Sequence, residues 1–324
     1  MRTLADRDEL VICFAHPAYA MQDRFEQRRT GIRSFQVRTL EDLRRRIGET
    51  DVLCISGLWR NDLIASASRL AFIQSISAGT DQYAREALAA AGIRLASAQG
   101  ANEHAVSQHA MALILALARH LPEARDNQSA RTWRPMIGRI EQREEELGGK
   151  TLVIVGMGRI GSQLARLAKA FEMRVIGVKR DPTRGLGAAD EVVAEDALPA
   201  ALGRADFVAL TCPLTPATEG LIGRNALAAM KPSARLVNVA RGKVVVEPDL
   251  IDALERGVIA GAAIDCAHEE PLPVASPLWS APNLLITPHT AGETQRYEDN
   301  VIDLLLDNLE RLWRDGGEPV NRIV

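Results

Sequence analysis

Thr151-Leu-Val-Ile-Val-Gly156-Met-Gly158-Arg-Ile-Gly161 is the stretch on which the reading of this chain turns. The apolar run Leu152–Val155 reads as a buried strand and feeds directly into three glycines at GxGxxG spacing. A helix is expected from Ile160 to about Phe171, and a second strand over Arg174–Val178. Strand, glycine turn, helix and strand follow in the order a dinucleotide-binding unit needs. Gly156 permits the tight turn, Gly158 lets the backbone approach a pyrophosphate, and Gly161 lets helix and strand pack closely. Amides at the helix start would then face the phosphates, with the favourable end of the helix dipole behind them. A glycine turn that binds nothing is the bland alternative, and the strand–helix–strand context weighs against it.

Outward from that motif, strand-like and helix-like segments alternate on both sides. Upstream, strands are expected at Leu10–Phe14, Phe35–Arg38, Val52–Ser56, Ala71–Ile76 and Ile93–Ala96, with helices at Leu40–Ile47 and Asp81–Ala91 among those between them. A long helix is expected over Glu103–His120, then a polar arm of low regular structure over Pro122–Gly149. Downstream, strands are expected at Glu191–Ala194, Phe207–Leu210, Arg235–Val239, Ala260–Ile264 and Leu284–Thr287. A final helix over Glu293–Arg314 carries the apolar stripe Val301, Leu304, Leu305, Leu309 and Leu312. Such alternation predicts an α/β protein with parallel sheets covered on both faces. The expected organisation is two doubly wound domains, a flavodoxin-like substrate domain of residues 1–101 plus 292–324 and a Rossmann nucleotide domain of residues 102–291, with a cleft between them.

Bulk properties narrow the class. The 324 residues suffice for about two domains. A net charge of -3 without a long basic run argues against nucleic-acid binding. No apolar run approaches the length of a membrane span, and the N-terminus lacks a signal-like apolar region. Cys13, Cys54, Cys212 and Cys266 are scattered through apolar runs, as expected of reduced, buried thiols in a cytoplasmic protein. The histidines His16, His104, His109 and His120 form no ligand cluster of convincing spacing, so no metal site is expected.

Three further segments carry chemistry. Val237-Asn-Val-Ala-Arg241-Gly242 places an arginine just past a strand. Ala263-Ile-Asp265-Cys-Ala-His-Glu-Glu270-Pro271 places carboxylates past the next strand, and Ile286-Thr-Pro-His289-Thr-Ala-Gly292 a histidine past the one beyond. Ligands of open α/β sheets bind at the carboxyl ends of strands, so the three could converge beside the nicotinamide of a bound dinucleotide. Each residue alone is more readily a solvated surface group.

Taken with Ser77-Ala-Gly79-Thr80-Asp81, Asn238-Val-Ala-Arg241-Gly-Lys and Glu269-Glu270-Pro-Leu-Pro, these motifs make essentially the whole chain resemble the D-isomer-specific 2-hydroxyacid dehydrogenases. The resemblance implies a catalytic set of Arg241, Glu270 and His289. It implies a carboxylate cradle from the backbone of Ala78 and Gly79, shared with Arg241, and a cofactor contact at Asp265. Arg159, Ile160, Cys212, Pro213, Ala240 and Gly292 complete the expected cofactor contacts, beside Gly156, Gly158 and Gly161. A homodimer is also implied, with the 122–149 arm at its interface.

The expected roles follow from the chemistry of a 2-keto acid. Arg241 presents planar donors to the carboxylate and carbonyl. His289 donates a proton to the developing alkoxide, and Glu270 orients and favours its charged form. The chain departs from the family at the end of the second nucleotide-domain strand. NAD-preferring members carry an acidic residue there, whereas this chain has Lys179-Arg180, with Asp181 only afterwards. The two cations would attract a 2′-phosphate, so NADP is favoured and NAD is the alternative. Cys266-Ala267 replaces the usual Val-Phe, and Gln108 a common glutamate. Trp59-Arg60 is a candidate lining of the substrate side.

The expected activity is hydride transfer between NAD(P)H and a small 2-keto acid, with glyoxylate or hydroxypyruvate favoured. The alternatives are an NAD-dependent dehydrogenase of a bulkier D-2-hydroxy acid, or a non-enzymatic NAD(H)-sensing corepressor-like protein, against which the absence of long polar tails argues.

Overall fold

The computed structural model describes residues 2–314 and 317–324. They fall into two compact units, Met1–Asn102 with Glu293–Val324, and Glu103–Gly292.

In the first unit, β1 (Val11–Ala15), α1 (Met21–Glu26), β2 (Arg33–Val37), α2 (Leu40–Arg46), β3 (Val52–Ile55), β4 (Phe72–Ser75), α3 (Arg85–Ala90) and β5 (Arg94–Ala96) succeed one another. The strands form one five-stranded parallel sheet of order β2-β1-β3-β4-β5, the flavodoxin-like order. β3 and β4 are buried along their whole length, which explains the unbroken apolar run of β3, whereas β4 ends on the buried polar pair Gln74 and Ser75.

The second unit opens with α4 (Glu103–Ala118) and α5 (Leu121–Ser129). There follow β6 (Thr151–Val155), α6 (Arg159–Ala170), β7 (Arg174–Val178), β8 (Glu191–Val193), α7 (Leu198–Leu202), β9 (Phe207–Leu210), α8 (Arg224–Ala229), β10 (Arg235–Asn238), α9 (Glu247–Glu255), β11 (Gly261–Ile264) and β12 (Leu284–Ile286). Its seven-stranded sheet runs β12-β11-β10-β9-β6-β7-β8, and every pairing is parallel. The strand order reverses between β6 and β9, the topological switch point where such sheets bind ligands. One face of the sheet is covered by α7, α8 and α9 around Leu202, Leu227, Leu250 and Leu254. The other is covered by α4 and α6 around Ile114, Leu164 and Ala168.

The chain closes with α10 (Tyr297–Leu312), which returns to the first unit. Val301, Ile302, Leu305, Leu309 and Leu312 are buried there against Phe14, Phe25 and Phe72. Each fully buried side chain of this size contributes roughly 1.5–3 kcal/mol. Leu304 of the expected stripe is only partly buried, and Ile302 takes its place in the core. Asn308, fully buried in the same face, donates to Gln74 Oε1 at 2.8 Å and accepts from the Val320 amide at 2.6 Å.

Three sequence-based expectations are corrected. The arm is not irregular throughout, because its start, Leu121–Ser129, is helical. Pro122 supplies a preset φ in the first turn, and no residue of this helix is buried, so apolar periodicity could not reveal it. The helix expected from Asp81 begins at Arg85. Tyr83 donates to Ile55 O at 2.9 Å and Asn61 Oδ1 accepts from the Ala84 amide at 2.9 Å, which holds residues 81–84 outside the helix. The last helix begins at Tyr297 rather than Glu293, after a turn closed by the Tyr297 amide on Thr294 O at 3.1 Å.

Candidate active site

The glycine turn lies at the switch point, between the carboxyl ends of β6 and β9. Gly156 has φ 102°, a left-handed conformation, and a Cβ on it would meet the Cys212 backbone at 2.6 Å. A Cβ on Gly161 would overlap the Gly156 carbonyl. Thr211 ties the same turn to β9, donating from Oγ1 to Gly156 O at 2.7 Å. Gly158 differs in kind. A Cβ there would meet nothing of this chain within 4 Å, so the free space belongs to whatever approaches the loop. Gly158 is the N-cap of α6, no side chain caps that helix, and its first turn, with Arg159 and Ile160, holds no acidic residue. An uncapped helix start beside an open glycine fits a pyrophosphate. Cys212 and Ala240 are buried beside this region, while Pro213 is exposed and Gly292 partly buried.

At the end of β7, Lys179 Nζ donates to Gly185 O at 2.5 Å. Arg180 is exposed and has no ion pair among the described residues. Asp181 points into its own turn, where Oδ1 accepts from the Thr183 amide at 3.1 Å and from Thr183 Oγ1 at 2.5 Å.

β10, β11 and β12 end level with one another, Asn238 opposite Ile264 and Ile264 opposite Ile286, so their three loops emerge side by side. Asn238 shapes the first loop, accepting from the Ala240 amide and donating to Arg241 O, both at 3.0 Å. Gly242 then packs so tightly on Ala267 and His268 that a Cβ would overlap their backbone. That contact draws the Arg241 loop against the Glu270 loop. Glu270 Oε1 accepts from the Ala267 amide at 3.0 Å, and its Oε2 lies 2.7 Å from His289 Nδ1. Nε2 of His289 makes no hydrogen bond among the described residues. The two side chains are 46% and 37% exposed, open enough to meet a substrate. The Arg241 guanidinium is partly buried, with Nη1 donating to Ala240 O at 2.7 Å.

His289 has φ 55°, a conformation that costs a residue other than glycine on the order of 1–3 kcal/mol unless its surroundings fix it. Asp265 supplies that fixing. It is 2% exposed and accepts from Thr287 Oγ1 at 2.6 Å and from the amides of Thr290 and Ala291 at 3.1 and 3.0 Å. Its carboxylate, expected at the cofactor, is thus largely occupied by the His289 loop.

In the first unit, Ala78 and Gly79 lie in the bend after β4, not at a helix start. Their amides find no acceptor among the described residues, and both residues are partly exposed. Trp59 is a core residue, 2% exposed and packed on Tyr83, rather than a cleft lining. Asn238, Gly242 and Thr287 are site-shaping residues to which the sequence reading gave no role. The one signal for the first is a polar side chain interrupting the apolar residues Leu236, Val237 and Val239. No cluster of three or more metal-ligating side chains occurs among the described residues. No described helix is long and apolar enough to cross a membrane.

Residues 111–291, more than half of the chain, match the profile of the D-isomer specific 2-hydroxyacid dehydrogenase, NAD binding domain. The glyoxylate reductase of Pyrococcus furiosus is 36% identical over 83% of this chain and 81% of its own. The D-3-phosphoglycerate dehydrogenase of Methanocaldococcus jannaschii is 35% identical over 88% of this chain, which spans only 54% of that relative. A D-isomer specific 2-hydroxyacid dehydrogenase family protein from Aeromonas salmonicida superposes with a TM-score of 0.85, at 29% identity, over 98% of this chain and 99% of its own. The chain belongs to the D-isomer-specific 2-hydroxyacid dehydrogenase family.

Proposed function

We propose that this chain reduces a small 2-keto acid, reversibly, with a nicotinamide dinucleotide held at the β6–α6 turn. The observation that carries the reading is the 2.7 Å His289–Glu270 pair, in which the loop of Glu270 adjoins that of Arg241. When bound, the nicotinamide supplies the hydride, or accepts it in the reverse direction. Gly156, Gly158, Arg159, Ile160 and Gly161 would hold the pyrophosphate through backbone amides. Arg241 binds the carboxylate and polarises the carbonyl through planar donors. The proton moves from His289 Nε2 to the nascent alkoxide, while Glu270 holds Nδ1 and stabilises the imidazolium. In the oxidising direction the neutral ring takes the hydroxyl proton. The unsatisfied amides of Ala78 and Gly79 suit a carboxylate oxygen.

Glyoxylate or hydroxypyruvate is the favoured substrate, a choice supported by the likeness to a glyoxylate reductase. NADPH is the favoured cofactor, since Asp181 is engaged in its own turn and Arg180 has no ion pair among the described residues. Likeness to D-3-phosphoglycerate dehydrogenases supports a second reading, NAD-linked oxidation of a bulkier D-2-hydroxy acid. A homodimer is supported by Trp133, Met136 and Ile140 of the arm, 97%, 99% and 77% exposed. A cytoplasmic location is supported by four unpaired thiols. The deciding experiment is a panel of 2-keto acids, including a phosphorylated one, assayed with NADH and NADPH. Turnover of glyoxylate or hydroxypyruvate with NADPH is expected. No turnover with any acid, together with capture of a protein partner, would leave the corepressor-like alternative standing.

A further inference from the structure

We infer that His109, on α4, is a positioning residue for His289, acting through Thr287 and Asp265; this role rests on the reading above. His109 Nε2 lies 3.0 Å from Thr287 Oγ1 and 3.5 Å from Asp265 Oδ1, and Thr287 Oγ1 lies 2.6 Å from that same Oδ1. The direction of the chain follows from donor counting. The Asp265 oxygens already accept from the amides of Thr290 and Ala291, and the single threonine proton goes to Oδ1. Thr287 must then accept from the ring, which places a proton on His109 Nε2.

The consequence falls on residues 287–291. Asp265 grips Thr287 on one side of His289 and Thr290 and Ala291 on the other. His289 between them is held at φ 55°. His109 fixes the rotamer of Thr287 and places a donor beside a buried carboxylate, so that Asp265 stays aimed at the loop. α4 packs against β10 and β11, so the ring is delivered by a rigid element from behind the strand ends. The reacting proton is therefore set in place by a histidine that acts through Thr287 and Asp265.

The test separates positioning from bulk stability. His109→Leu should lower kcat about 10- to 100-fold, the scale of a small misplacement of a reacting group, with KM for the cofactor changed less than about threefold. His109→Gln keeps an N–H donor near the Nε2 position and should recover kcat to within about threefold of the unmodified enzyme. Thr287→Val should reproduce the His109→Leu loss, and the double variant should be no worse than either single one. Equal kcat in His109→Leu and unmodified enzyme, no recovery with His109→Gln, or fully additive losses would each overturn the proposal. A second readout needs no turnover. Among the six histidines, assigned by loss of one signal in His109→Gln, long-range 1H–15N spectra should show neutral His109 as the Nε2–H tautomer. Thr287→Val should move that signal, whereas Thr287→Ser should leave it. An Nδ1–H tautomer, or a signal indifferent to Thr287→Val, would refute the relay even if the substrate class were wrong. Failure of every 2-keto acid with the tautomer as expected would instead count against the functional reading alone.

Discussion

A histidine with one nitrogen committed to a carboxylate has its other nitrogen left for a proton transfer, and the role proposed for His289 rests on that arrangement. Because Glu270 holds Nδ1, the proposed mechanism moves the proton on Nε2. His289→Ala is expected to lower kcat by about 10²- to 10⁴-fold while cofactor affinity stays nearly constant. Steady-state kinetics beside cofactor titration checks this, and near-normal turnover in a folded variant would remove His289 from the mechanism. Cofactor choice is decided at the same scale. A charge-assisted bond is worth about 1.5–3 kcal/mol, or roughly ten- to a hundredfold in preference, and solvent exposure lowers the figure. Replacing Lys179 and Arg180 together by alanine should raise KM for NADPH by up to that factor and leave NADH nearly unaffected. Lys179 already serves the Gly185 carbonyl, so the single Arg180→Ala change should carry most of the effect. Equal kcat/KM for the two cofactors in the unmodified enzyme would sink the NADPH assignment.

Strand ends and the glycines between loops assemble the site. Gly242 is the contact that seats the loop after β10 against the loop after β11, and the atoms a Cβ would strike are backbone, which cannot swing aside. Gly242→Ala should cost about 1–3 kcal/mol and lower kcat more than it raises cofactor KM. A variant with unchanged melting temperature and turnover would show that the two loops approach for some other reason. The same elements mark how far the sequence could be read. β7 and β9 were legible to the residue, because each is a short apolar run closed on both sides by polar residues. The GxGxxG turn was legible because three glycines at fixed spacing admit few geometries. Helix α5 was not legible, since a helix with no buried residue leaves no apolar stripe. Gly242 stands out in the sequence only as a neighbour of Arg241, because close approach of two loops distant in sequence leaves no local pattern. Asp265 was read toward the cofactor, yet three of its bonds go to a loop 22–26 residues away, a tertiary fact invisible to spacing. The expectation that Arg241, Glu270 and His289 converge rests on motif and strand end coinciding three times.

Across the molecule, stability has an acid-sensitive edge. Glu191 begins β8, the edge strand of the seven-stranded sheet, and accepts from Arg204 through both oxygens and from Arg174. Arg204 foremost, opposed by some desolvation and aided by Arg174, lowers its carboxyl to about 2. An unfolded glutamate titrates near about 4.3. The folded form is therefore favoured above that value, and the contribution is lost as pH falls from about 4.3 through about 2. The pair is partly exposed, so Glu191→Gln should cost no more than about 1 kcal/mol at neutral pH. Denaturant titrations at neutral and acid pH should show the gap between variant and parent closing in acid, and a gap that widens would contradict the assignment.

The four buried cysteines turn this architecture into a measuring device. Burial raises every one of the thiols, Cys13 to about 12 and Cys212 to about 11, so an alkylating reagent finds almost no thiolate in the folded chain. Their distribution is even, with Cys13 and Cys54 in one unit and Cys212 and Cys266 in the other. Each thiol becomes reactive only when its own surroundings open, so labelling rates read off by mass report the opening of each unit separately. If the dinucleotide binds at the β6–α6 turn, NADPH should slow modification of Cys212 and Cys266 and leave Cys13 and Cys54 unchanged, unless the units open as one. Uniform slowing of all four would then identify a single cooperative block, and the native cysteines, without any added label, would have drawn its boundary.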